Sequence, residues 1–281
     1  MVEMDGQALE EDAAQNLDLE RLRDRLPIDG IGSTLIYAPS MSSTNQRALA
    51  LLETHAAHGT LVVAEQQTEG RGRAGRKWVT RAGRGLAFSL IINPAHMEIS
   101  SIGLLTGLGA VAVSDAILSM GLRGEIKWPN DVLVSGRKLA GVLMENVWMG
   151  ARLKGSVLGI GVNLRPGAAP PEDQLDLPAI DLESALGYRV DATGFLLAVL
   201  KALADWWARL ATPDFLEVWN ARLAYQGRKV CIGNLQDQQH GVLEAVDADG
   251  CLVLRGEDGL HHTFSVGEVH LRPQAEDLKA G

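Results

Sequence analysis

The chain changes texture at Gln226-Gly227, and that break commits it to a fold in two unlike parts. Before the break, apolar runs alternate with helical patterns. Leu61-Val62-Val63-Ala64 and residues 86–92 read as buried strands. Ser43-Thr44-Asn45 is a capping-type start to a helix whose apolar residues recur at helical spacing. Residues 101–120 read as a long helix of small residues stopped at Gly121, and residues 193–210 and 213–223 as two more, with Trp206-Trp207 facing partly inward. Between them lie a strand end at Glu125-Ile126-Lys127, broken by Trp128-Pro129, and three runs at 131–134, 140–149 and 155–164. Ser135-Gly136 joins the first two as a hairpin, so an antiparallel meander is expected there. Beyond the break only short apolar runs remain, separated by Asp247-Ala248-Asp249-Gly250 and Gly256-Glu257-Asp258-Gly259. Short strands with polar glycine turns and no helical pattern point to a small β-barrel. The expected class is therefore α+β: a mixed sheet with flanking helices, then a small barrel. A short helix starting at Leu17 and ended by Pro27 precedes both, behind an N-terminal tail without apolar periodicity.

Composition bears mainly on what the chain binds. A net charge of −9 works against a dedicated nucleic-acid binder, because phosphate neutralisation needs a basic surface. No run of about 20 apolar residues stands out as a bilayer span, and the acidic N-terminus has no apolar core of the secretory kind. Cys231 and Cys251 lack metal-ligand spacing and read as free thiols, which favours the cytoplasm.

The most informative segment is Gly70-Arg71-Gly72-Arg73-Ala74-Gly75-Arg76-Lys77-Trp78. It satisfies G-x-G-x-x-G literally, but no helical periodicity follows, so the dinucleotide-binding reading fails on context. Nor does Gly75-Arg76-Lys77 supply the Gly-Lys-Ser/Thr ending of a nucleotide triphosphate loop. What remains is glycine that lets backbone close over a ligand, and arginine forks that suit carboxylate or phosphate. Four cations in seven positions repel, so the loop is expected to order only over an anion. Taken alone, it fits a solvated basic loop or a nucleic-acid contact equally well. Lys127-Trp128-Pro129-Asn130-Asp131 alone reads as a hydrogen-bonded turn, and Gly159-Ile160-Gly161-Val162-Asn163 alone as core.

In combination these elements resemble the biotin–protein ligase family. The resemblance runs through Ser43-Thr44-Asn45, Gln67, residues 70–78, residues 127–131, Lys138-Leu139-Ala140-Gly141 and residues 159–163, and covers about residues 35 to 272. It implies a class II synthetase-like catalytic domain over 35–224 and an SH3-like domain over 225–274, after an N-terminal tail and short helix over 1–34. The implied reaction joins biotin and ATP into biotinyl-5'-AMP and passes biotin to a lysine of a biotin carboxyl carrier protein, with Mg²⁺ on the phosphates. Pairing of two copies through the catalytic sheet is a further expectation, as is a cytoplasmic enzyme with no nucleic-acid or membrane partner. Only about 35 acidic residues precede the match, too few for the winged helix-turn-helix of DNA-binding relatives. Lipoate ligases share the fold but replace the Gly-Arg loop. An octanoyltransferase would need a catalytic cysteine outside the barrel.

The resemblance also assigns roles. Ser43, Thr44, Asn45 and Gln67 are expected at the biotin ureido ring, and Arg71, Gly72 and Arg73 in the loop over biotin and the adenylate phosphate. Trp78, Lys127, Asn130 and Asn163 are expected on the ATP side, with Asn163 near adenine. Lys138 would contact the biotin carboxylate and α-phosphate, with Asp131 beside it. Arg73, Lys138 and Asp131 are the expected catalytic groups, and no metal ligand set is assigned. Ala74 stands where relatives often carry a basic residue, which implies looser closure over the adenylate.

Overall fold

A computed structural model describes residues 17–27, 30–175, 177–233, 238–265 and 270–273. The expected N-terminal tail lies, apart from Leu17, outside the described residues. The first large unit is a seven-stranded sheet of β1 (Leu35–Met41), β2 (Leu61–Gln67), β3 (Gly85–Ile92), β4 (Glu125–Lys127), β5 (Asp131–Val134), β6 (Arg137–Met149) and β7 (Arg152–Asn163). Its order is β1-β2-β3-β7-β6-β5-β4. β1 and β2 run parallel and the remaining neighbours antiparallel, so the sheet is mixed as expected. The meander β4 to β7 is present. Its tight turn at Ser135-Gly136 has φ of 51° and 72°, the pair of positive angles a two-residue hairpin of that twist requires.

Period-two alternation divides the sheet into two faces. Leu86, Phe88, Leu90 and Ile92 of β3, with Leu158, Ile160 and Val162 of β7, enter the main core. Over that face lie α3 (Leu105–Leu118), α5 (Ala192–Trp207) and α6 (Pro213–Ala221). α3 comes down close because its glycines carry no side chain. A Cβ at Gly109 would stand 2.9 Å from Val142, and one at Gly107 2.3 Å from the Trp219 ring. On the opposite face α2 (Thr44–Glu53) packs Ala48 and Leu52 onto Val62, Ile91 and Val157 in a smaller cluster. Only half of that face is covered.

Four departures from the sequence expectations have simple causes. β1 and the short α4 (Leu182–Leu186) were not expected, since β1 is mostly half-buried and broken by Pro39, and α4 is barely more than a turn. The helix expected from residue 101 begins as a 3₁₀ segment, Ile99–Leu104, and becomes α-helical only at Leu105. Together they make a helical run, Ile99–Leu118, that is long and apolar enough to cross a membrane, contrary to expectation. It is mostly buried inside the protein and is the central core helix. α1 (Leu19–Arg25) lies where it was expected, capped by Asp18.

The second unit is an antiparallel sheet in the order β11-β10-β9-β8-β12, from β8 (Lys229–Gly233), β9 (Gln238–Val246), β10 (Leu252–Arg255), β11 (His261–Phe264) and β12 (His270–Pro273). Val230, Ile232, Leu243, Val246, Leu252 and Leu254 join the core of the first unit. Polar contacts fix the seam: Trp128 Nε1 donates to Gly250 O at 3.0 Å, and Asn220 exchanges two hydrogen bonds with the backbone of Val246. The tryptophan of the 127–131 motif is thus a buried pin between units, while its neighbours face elsewhere.

Candidate active site

The uncovered half of the sheet is a cleft because its strands lack side chains there. Gly159 and Gly161 of β7 and Gly141 of β6 form the floor, and Asn163 closes one end. Each glycine of β7 seats a functional side chain. A Cβ at Gly159 would lie 2.0 Å from Asn45 Oδ1, and one at Gly161 2.3 Å from the Trp78 ring. The glycine pair that reads as core in sequence is therefore the platform of the site. The cavity measures about 540 Å³, and every residue expected at the biotin and ATP sites lines it.

One end is neutral and buried. Ser43, Thr44 and Asn45 begin α2, with the Ser43 hydroxyl as its N-cap, and all three are buried. Thr44 donates its backbone N–H to Gln67 Oε1 at 2.8 Å, and Gln67 Nε2 donates to Thr80 Oγ1 at 3.1 Å. Beneath them the Ser89 hydroxyl, fully buried on β3, lies 2.6 Å from Asn45 Oδ1 and 2.8 Å from Thr44 Oγ1.

The other end is charged. The hairpin of β5 and β6 brings Lys138 back over Asp131, with Nζ 2.6 Å from Oδ1 and 5.6 Å from the Trp78 ring centroid. Lys138 is anchored through its backbone, donating to Pro178 O and accepting from Ile180 N, so the cleft's lip and the lysine are fixed together. Asn163 Nδ2 braces the same place, reaching Ile180 O at 3.2 Å and Lys138 O at 3.4 Å. Asn130 holds β6 by donating to Val142 O, and its Oδ1 accepts from Arg73 at 3.2 Å. Burial pulls the Arg73 guanidinium below its usual pKa, and Asp131 works against that shift. An arginine nonetheless keeps its charge at neutral pH. Lys127 lines the same end.

Between the two ends the Gly-Arg loop folds back on itself. Gly72 N donates to Arg76 O, Arg76 N to Arg73 O and Trp78 N to Gly70 O. A Cβ at Gly70 would stand 2.1 Å from Trp78 O, so this closure requires glycine there. Two protein carboxylates offset part of the loop's charge. Arg71 pairs with Glu145 at 3.0 Å, and Asp131 raises the Arg73 pKa against burial.

The biotin/lipoate A/B protein ligase family matches residues 37–163, and the biotin protein ligase C-terminal domain matches residues 227–272. The biotin–[acetyl-CoA-carboxylase] ligase of Paracoccus denitrificans is 36% identical over 232 residues, 77% of this chain and 92% of that protein. The bifunctional ligase/repressor BirA of Bacillus subtilis is 33% identical over 254 residues, 89% of this chain and 78% of that protein. The chain belongs to the biotin–protein ligase family. Among solved structures, the biotin protein ligase from Aquifex aeolicus in complex with biotin and ATP superposes with a TM-score of 0.72 at 30% identity, covering 86% of this chain and 99% of that one.

In this family member three polar residues of the site escaped the sequence reading. Ser89 is the lone polar side chain in a strand buried along its whole length, a signal that was there to be used. Glu145 lies on β6 in phase with Gly141, on the cleft side. Thr80 faces Gln67 across the base of the loop, a pairing that only the fold brings about.

Proposed function

We propose that this protein is an ATP-dependent ligase that converts biotin to biotinyl-5'-AMP and transfers the biotin to a lysine of a biotin carboxyl carrier protein. The observation that supports it most is the pairing, in one cleft, of a neutral hydrogen-bonding end with a cationic end, on a chain of this family. Ser43, Thr44, Asn45 and Gln67 take the ureido ring, and the biotin tail runs under the Arg71–Arg73 segment toward Lys138. Trp78, Lys127, Asn130 and Asn163 line the nucleotide side, with Asn163 toward adenine. Residues 35–224 form the catalytic domain and 225–274 the C-terminal one.

In the first step a biotin carboxylate oxygen attacks the α-phosphorus of ATP, a new P–O bond forms and pyrophosphate leaves. Two anions must approach each other, and Lys138 and Arg73 offset that repulsion at the reacting centre. Asp131 holds the Lys138 ammonium in place. In the second step a neutral carrier lysine attacks the acyl carbon of the mixed anhydride, AMP departs with the bonding pair, and the amine proton is lost to solvent. No enzyme nucleophile is required. The two cysteines lie in or beside the second sheet, and burial pushes the Cys251 thiol pKa up, away from reactivity.

Mg²⁺ fits this donor set only in company with substrate. No cluster of three or more His, Cys, Asp or Glu side chains is present among the described residues. Magnesium accepts such a site, held mainly by nucleotide phosphates with one protein carboxylate, here Asp131. When bound, it neutralises phosphate charge. The enzyme is taken to act in the cytoplasm and to pair through its catalytic sheet.

Incubation with biotin, MgATP and a biotin carboxyl carrier domain tests the reading. Mass spectrometry should find one carrier lysine biotinylated, with no product when lipoate replaces biotin. Lipoylation instead would move the protein to the neighbouring activity of the same fold.

A further inference from the structure

Both oxygens of the Glu145 carboxylate are engaged, one at 3.0 Å from the Arg71 guanidinium and the other accepting from Asn45 Nδ2 at 2.8 Å. The same Nδ2 also lies 3.4 Å from Leu143 O. An ionised carboxylate and a backbone carbonyl can only accept, so the amide nitrogen must face them. Asn45 Oδ1 is thereby turned to the Ser89 hydroxyl, 2.6 Å away. Ser89 has one proton, and it is committed to Asn45. The Thr44 hydroxyl, 2.8 Å from Ser89 Oγ and 3.1 Å from Gln67 Oε1, must then donate to one of those two oxygens. Its remaining lone pair is one of the acceptors that this end of the cleft offers a ligand.

We propose that Glu145 is a positioning residue that sets the donor–acceptor sense of this network, so that the neutral end of the cleft presents acceptors to the N–H groups of the ureido ring. The proposal rests on the assignment of biotin to that end. A carboxylate fixes that sense most firmly, because an amide in its place could present a donor to Asn45 and leave only the 3.4 Å contact with Leu143 O to oppose reversal. Gly159 completes the arrangement, since any side chain there would displace Asn45.

The test is a set of biotin and ATP titrations of carrier-free adenylation with wild type, Glu145→Gln, Asn45→Ala and the double variant. Glu145→Gln should raise the biotin KM about tenfold, the size of one lost charge-assisted hydrogen bond, and leave the ATP KM unchanged. In the Asn45→Ala background the same substitution should add nothing, because the group through which Glu145 acts is gone. Additive effects, or equal rises in both KM values, would overturn the proposal, as would a wild-type biotin KM in Glu145→Gln. Should that variant not fold, Ser89→Ala removes the next link without adding bulk. It must then raise the biotin KM alone and be non-additive with Asn45→Ala, or the proposal falls. A wild-type protein that forms no biotinyl adenylate would defeat the underlying function, and the proposal with it. An active wild type with an indifferent Glu145 would defeat only the proposal.

Discussion

The two ends of the cleft solve different problems with different residues. At the neutral end, short uncharged side chains of α2 are buried, and Thr44 and Asn45 are held by partners on β2, β3 and β6. At the charged end, long cationic side chains reach from a loop and a hairpin toward Asp131, Asn130 and the Trp78 ring. Small polar groups in a closed network read the outline of a ligand. Cations held at the reacting centre offset charge as it develops during reaction. The contrast implies that damage at the neutral end appears in binding and damage at the charged end in rate.

The largest effect should come from Lys138→Ala. Adenylation should fall by about a thousandfold, as when one preorganised charge-stabilising donor is lost, with the fold intact by circular dichroism. Near-normal adenylation would remove Lys138 from the chemistry and erase the distinction between the ends. Gly161→Ala comes next. Its Cβ would strike the Trp78 ring at 2.3 Å, and overpacking of that kind costs about 1–3 kcal/mol. Because Trp78 neighbours Lys138, the loss should appear in ATP titrations, while biotin binding measured calorimetrically without ATP should change less. An equal loss in both would mean that Trp78 serves the whole cleft.

A smaller effect is expected at Ala74, whose φ of 52° places it in the left-handed region already. Arginine there would meet the same backbone strain as alanine, so the substitution isolates charge. Ala74→Arg should slow escape of biotinyl-AMP by about two- to fivefold, the worth of one exposed ion pair. Equal escape rates by stopped-flow would show that closure does not depend on charge at that position.

The smallest lies outside the cleft and serves as its control. His58 stacks on His96 with ring centroids 4.4 Å apart, and burial, reinforced by His96, lowers its pKa from 6.5 to about 4. Between those values the unfolded chain binds more protons than the folded one, so stability falls as pH drops through 6.5 and levels off near 4. His58→Gln should flatten the fall in Tm between pH 7 and 5. An unchanged slope would place the acid sensitivity elsewhere.

Much of this arrangement was legible in the sequence. The break at Gln226-Gly227, the meander with its Ser135-Gly136 turn, and the loop of alternating glycine and arginine all carry local chemical signatures. The residues that escaped notice depend on tertiary pairing. Glu145 is an ordinary strand glutamate until Asn45 and Arg71 are brought against it, and Thr80 gains meaning only across the loop base from Gln67. The glycines at 159 and 161 read as core because a strand's two faces cannot be told apart when one is lined by leucine, isoleucine and valine and the other by nothing. The carboxylates that offset part of the loop's charge escaped notice for the same reason, since they lie about 60 and 75 residues away in sequence.

The decisive experiment mixes the purified protein with biotin, Mg²⁺ and α-labelled ATP in the absence of any carrier, with lipoate in a parallel reaction. Labelled biotinyl-AMP that appears only with biotin is the predicted result. Label with lipoate alone, or with neither acid, would contradict a cleft built to join biotin to ATP.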